Sequence, residues 1–219
     1  MLFHSYTMQN IIFLHASLGA IALIFGMIAI ITKKGSPLHK KSGKVFFYAM
    51  LSSAIVALFV ALMPGHTSYF LFIIGIFSCY LLLSGYRALR FKNIQEISSF
   101  TTDKIISYGM LFSGLGMVIW SLLPLLQRHN PSIVLLIFGA IGITLSIRDI
   151  RLLKDTEQLT KSWLRIHIGN MVGGYMAAFT AFIVVNKFIP GIYGWLAPTV
   201  IGSIYISYWM AKIAPKKKA

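Results

Sequence analysis

Seven long apolar stretches alternate with short polar, mostly basic ones along this chain. They run at about 11–31, 45–63, 69–86, 105–126, 133–150, 163–185 and 193–213, each near the ~20 residues that cross a bilayer as a helix. Within a stretch the apolar residues are continuous and do not alternate with polar ones, which argues against a membrane β-barrel. The pattern predicts an all-α, polytopic membrane protein: a seven-transmembrane-helix bundle forming one integral membrane domain over residues 1–219. Pro198 and Pro124 fall inside the seventh and fourth stretches and predict kinks there. No internal repeat emerges beyond a faint echo of Leu14-His15 in Ile166-His167.

Basic residues decide the expected orientation. Lys33, Lys34, Lys40, Lys41 and Lys44 lie between the first two stretches, and Arg87, Arg90, Lys92 and Lys104 between the third and fourth. Arg148, Arg151, Lys154, Lys161 and Arg165 flank the fifth-to-sixth connection, and Lys212, Lys216, Lys217 and Lys218 end the chain. Only Arg128 and Lys187 fall on the other side. The positive-inside rule then places the N-terminus outside and the C-terminus in the cytoplasm.

Composition changes the picture only in detail. Charged residues make up 11% of the chain and hydrophobic ones 57%, far from the roughly one quarter charged that is typical of soluble domains. The net charge of +15 comes in clusters between apolar runs, so it points to anionic lipid head groups at the cytoplasmic face and not to nucleic acid. A single Cys79 excludes an intramolecular disulfide. Residues 1–10 lack a basic leader, so the first stretch is expected to stay as an anchor.

The sixth stretch, Trp163 to Asn186, holds the densest candidate chemistry. His167, Asn170, Gly174, Ala177, Ala178 and Ala181 recur at helical spacing and predict one close-packing face with polar groups at its inner end. His15 sits about one turn inside the outer end of the first stretch and is the second intramembrane histidine. Each reads either as a ligand or proton-handling group, or as an imidazole satisfied by a carbonyl, by water or at the interface. At 1.5 Å per residue His15 and His167 lie roughly 15–20 Å apart in depth, too far to share one metal.

Local partners are therefore needed. On the inner side the candidate is His39, read as part of a lysine-rich loop, and on the outer side His66 or His129, both read as turn residues. Asp149 is the best-placed carboxylate, with Arg87, Arg165 or His167 as candidate partners. A plain interfacial salt bridge is its other reading. Tyr48, Tyr69, Tyr86, Tyr108, Trp163, Tyr193 and Trp195 lie near stretch ends and read as an interfacial belt. Phosphate-cradling glycine loops, CxxC, HExxH and GxSxG patterns do not occur.

The run His15-x3-Gly19 … Gly26 … Lys33-Lys34-Gly35-x3-His39-x3-Gly43-Lys44-x-Phe46-Phe47-x2-Met50 resembles the start of a group of small bacterial multi-pass membrane proteins with a domain of unknown function, of Bacteroidetes type. Ser84-Gly85-Tyr86-Arg87, Asp149-x-Arg151-Leu152 and His167-Ile168-Gly169-Asn170-Met171-x3-Tyr175-x-Ala177 resemble its later segments. That resemblance implies a helical membrane fold and a bacterial cytoplasmic (inner) membrane location, and it carries no activity. A more distant likeness is to cytochrome b-type helical bundles, which implies heme b held by histidines near each membrane face.

Three function classes follow as expectations. The first is a heme- or metal-binding redox protein using His15, His39 and His167. The second is a proton-coupled transporter with His15, Asn170, His167 and Asp149 along a polar path. The third is a non-catalytic membrane subunit or scaffold with a protein partner or a second copy of itself.

Overall fold

The computed structural model describes residues 2–65, 67–126 and 132–214. His66, Arg128, His129 and Lys216–Lys218 lie outside the described residues. All seven expected helices are present: α1 (Leu2–Ile31), α2 (Pro37–Val60), α3 (Tyr69–Arg87), α4 (Thr101–Leu126), α5 (Ile133–Leu152), α6 (Thr156–Val185) and α7 (Ile192–Ile213). No strand occurs among the described residues. By length and composition α1 to α6 are long and apolar enough to cross a membrane. The Tyr, Trp, Gly and Ser residues of α7 dilute its hydropathy, and it is not among them.

Several helices begin earlier than the apolar runs that predict them, because polar caps start them. Ser36 caps α2, its side chain accepting from the His39 backbone N–H at 3.2 Å, and Pro37 occupies the first turn. Both are favourable start signals, since the first N–H groups lack helical partners and proline has none to lose. His39 is thus a first-turn helical residue and not a loop residue, a correction to the sequence reading. Asp155 likewise caps α6 at Gln158 (3.0 Å), placing the helix start well ahead of Trp163.

α3 and α6 are the central pair. α1 packs along α2, α2 on α3, α3 on α6 and α4, α4 along α5, and α7 along α6. Large apolar side chains such as Phe13, Phe112, Ile119 and Ile204 face outward, as expected where the surrounding solvent is lipid. The α3–α4 connection, which reads as a basic loop, is partly ordered as a 3-10 segment, Ala88–Glu96, interrupted at Asn93. Ala88 and Phe91 bury it against Leu153, Leu159 and Ile166 at the ends of α5 and α6.

Two close approaches rest on glycine. At Gly85 a Cβ would stand 3.0 Å from both Asn170 Cβ and the Met171 backbone nitrogen, so α3 and α6 touch nearly backbone to backbone. Between α4 and α5, a Cβ on Gly139 would meet the Gly114 carbonyl oxygen at 2.9 Å and the reverse contact would be 3.0 Å. Small residues at such crossings are how helices gain contact in lipid, where hydrophobic burial does not drive them together. Gly139→Val should lower stability by about 1–3 kcal/mol through overpacking, read as a reduced thermal midpoint in detergent. An unchanged midpoint would show that this crossing does not hold α4 to α5.

Candidate functional site

The residues Ser84-Gly85-Tyr86-Arg87 at the end of α3 face four directions, since each step around a helix turns by about 100°. Ser84 meets a buried polar network, Gly85 meets α6, Tyr86 faces a cavity, and Arg87 reaches α4. Arg87 holds Asp103 in a two-pronged ion pair, Nε to Oδ1 at 2.7 Å and Nη2 to Oδ2 at 2.8 Å. Asp103 is buried in the first turn of α4, two residues ahead of the fourth apolar stretch.

Asp149 on α5 accepts from Tyr80 Oη at 2.9 Å and Ser84 Oγ at 2.7 Å on one oxygen. Its other oxygen accepts from Arg148 Nε and Nη2 at 2.9 and 2.7 Å. Asn170, nearly fully buried, donates to Ser84 Oγ at 2.9 Å and accepts from Arg148 Nη2 at 3.4 Å. The ion-pair partner of Asp149 is therefore its neighbour Arg148, not Arg87, Arg165 or His167. Arg165 is exposed on α6 and lines no part of the cavity described below. A void of about 10 Å³, the size of one water, separates Asp103 from Asp149. Tyr80 and Ser84 complete this network; their spacing of one helical turn on α3 is their only sequence signal.

The three described candidate histidines fall in two places. His15 lies in the α1–α2 seam, its Nδ1 donating to the Ser53 carbonyl at 3.0 Å while the Ser53 hydroxyl donates to the His15 carbonyl at 3.0 Å. It is satisfied there as a cross-link between the two helices. His39 and His167 are brought together elsewhere: both line one cavity of about 440 Å³. This volume is within the range of small-molecule and cofactor sites, about 300–1,000 Å³. Helix rise puts His15 roughly 20 Å along α1 from Ala29, whose carbonyl marks the level of His39.

The cavity opens between the α1–α2 pair and α6–α7 at the end of the bundle that carries the basic connections. Phe46, Tyr86, Trp163, Tyr175, Tyr205 and Trp209 form much of its wall, and Lys34, Lys40 and Lys44 its rim. Tyr86 and Trp163, expected in an interfacial belt, thus face inward. The helix face predicted for α6 divides in two. His167, Met171 and Tyr175 line the cavity, while Asn170 and Gly174 pack on α3 beside Ser84 and Leu82.

Both cavity imidazoles are fixed in the same way. His39 Nδ1 lies 3.0 Å from the Ala29 carbonyl oxygen and His167 Nδ1 lies 2.9 Å from that of Gly85. A carbonyl only accepts, so each Nδ1 carries the hydrogen, and in the neutral ring the lone pair then sits on Nε2. Backbone bonds of this kind set the tautomer and ring plane of metal-ligating histidines. Among the described residues no group of three or more His, Cys, Asp or Glu side chains could hold a bare metal ion. The arrangement offers two imidazoles, each anchored through Nδ1, in an apolar space with cations at its edge.

Breaking the buried network should be costly independently of the cavity. Asp149→Ala leaves the Tyr80 hydroxyl, the Ser84 hydroxyl and the Arg148 guanidinium without their acceptor, a loss of about 1–3 kcal/mol or more. The expected readout is a lowered thermal midpoint in detergent; an unchanged midpoint would show the network to be dispensable for stability.

In comparison with known proteins, a family described as Predicted membrane protein (DUF2306) matches residues 12–152. The match takes in α1 through α5, with His15, His39 and Asp149, and ends before α6, with His167 and Asn170. No curated protein and no solved structure matches the chain. The likeness to cytochrome b-type bundles is therefore unsupported.

Proposed function

This chain belongs to the DUF2306 family of predicted membrane proteins, and from that premise we propose that it binds heme b between His39 and His167 as a membrane redox protein. The observation that carries the reading is the shared cavity. Two imidazoles on different helices, each with Nδ1 held by a backbone carbonyl, line the same apolar space. Heme supplies one-electron exchange when bound, and bis-histidine ligation is one of its ordinary modes. The chain's own residues would do the rest: His39 and His167 present Nε2 lone pairs, and Phe46, Tyr175 and Trp163 exclude water from the macrocycle faces. Gly85 and Ala29 hold the ring planes through their carbonyls.

His15 has no part in this site. The transporter reading draws less support, because His15 is remote from Asn170, His167 and Asp149, and Asp149 is closed into its own bonds. The reading extends to orientation. The basic connections face the cytoplasm of a bacterial inner membrane, where they meet anionic lipid, and the N-terminus lies outside. The cavity then opens toward the cytoplasmic side.

Detergent-purified protein, expressed with adequate heme supply, should show a Soret band and, after dithionite reduction, sharp α and β bands. His39→Ala and His167→Ala should each abolish this low-spin spectrum, and His15→Ala should keep it. A featureless wild-type spectrum, or one that survives both cavity variants, rejects the reading. For orientation, in a Cys79→Ser background, a cysteine at Lys187 should react with a membrane-impermeant maleimide from outside intact cells. A cysteine at Lys92 should react only after permeabilisation. The opposite labelling pattern overturns the topology.

A further inference from the structure

The rim of the cavity carries positive charge that the described protein leaves unbalanced. Lys34, Lys40 and Lys44 all line it. The five carboxylates are committed elsewhere. Asp103 pairs with Arg87, Asp149 with Arg148 and Glu157 with Lys161, while Asp155 caps α6 and Glu96 accepts from Asn93. Lys34 is partly compensated, since its Nζ donates to the Ala29 and Ile30 carbonyls at 2.8 and 2.6 Å and stands 5.6 Å from the Tyr205 and Trp209 rings. It closes the end of α1, where the helix carbonyls favour a cation.

Lys40 and Lys44 have no such partners among the described residues. They sit one turn apart on α2, a spacing at which like charges repel. Gly43 between them leaves the helix surface bare at the cavity edge. His39, at the head of the same helix, sets the depth at which a ligand would be held. A ligand that spans from His39 and His167 to this edge must be apolar along its body and anionic at its end.

We propose that Lys40 and Lys44 form a carboxylate seat for the two acid side chains of a dicarboxylic tetrapyrrole. The ligand's identity rests on the heme reading above, and the seat itself rests on the lysines. The acid edge of the macrocycle lies at the basic end of the bundle, and its apolar edge lies against Phe46 and Tyr175. The seat selects the ligand by its carboxylates, and the histidines select it by its iron.

The two contributions separate when the probe has no iron. Purified full-length protein is titrated with metal-free protoporphyrin IX and with its dimethyl ester, following porphyrin fluorescence. The diacid should bind at least about tenfold more tightly than the ester, the worth of one charge-assisted contact. The Lys40→Gln/Lys44→Gln variant, whose exposed side chains leave folding intact by size-exclusion profile, should lose that preference. The His39→Ala/His167→Ala variant should retain it. Equal affinity of the wild type for diacid and ester, or an unchanged preference in the lysine variant, overturns the seat. A diacid preference in a wild-type protein that gives no low-spin heme spectrum supports the seat and rejects axial ligation alone.

Discussion

The close approach of α3 to α6 at Gly85 is the contact on which the rest depends. With no Cβ between them, the two helices bring Ser84 within 2.9 Å of Asn170 and the Gly85 carbonyl within 2.9 Å of His167. Ser84 then hands the contact on to Asp149 of α5, and Arg87 hands it to Asp103 of α4. One turn of α3 therefore fixes the positions of three neighbouring helices. A side chain at Gly85 would push α6 away and break the hydrogen bond that sets the His167 ring.

Polar groups in this bundle follow the rule that lipid imposes: each must find a partner inside the protein. Ser42, Ser107, Ser121 and Ser146 bond back to carbonyls of their own helices. His15 and Ser53 satisfy each other across the α1–α2 seam. Among the described residues no buried side-chain nitrogen or oxygen is left without a partner. Against that background Lys40 and Lys44 at the cavity rim stand out, because no carboxylate among the described residues pairs with them.

The cavity itself is a consequence of uneven packing. α1 and α2 lie tightly along each other, as do α6 and α7, and around the cavity the two pairs meet through Tyr175, which covers Gly26, through Tyr205, whose hydroxyl donates to the Ile30 carbonyl at 3.0 Å, and through Lys34. Bulky aromatics prop the walls apart, with Phe47 stacked on Tyr86 at 4.0 Å and Phe46 tilted against Tyr175 at 6.0 Å.

The chain by itself determined the helical bundle, its seven elements and the segregation of basic residues into one set of connections. Those features follow from apolar run length and local charge, which need no tertiary contact to be read. It also marked His15, His39, His167, Asn170, Asp149 and Arg87 as the unusual residues. Only the tertiary structure decided which of them meet. It joined His39 to His167, left His15 to Ser53, and gave Asp149 to Arg148 and Arg87 to Asp103. The helical start at Ser36 lifted His39 out of the loop, and the fold of the 3-10 segment turned a basic connection into a packed cap. Periodicity assigns a residue to a face of its own helix, but the neighbour that covers that face is chosen by packing among all seven. The cavity belongs to that second kind of information.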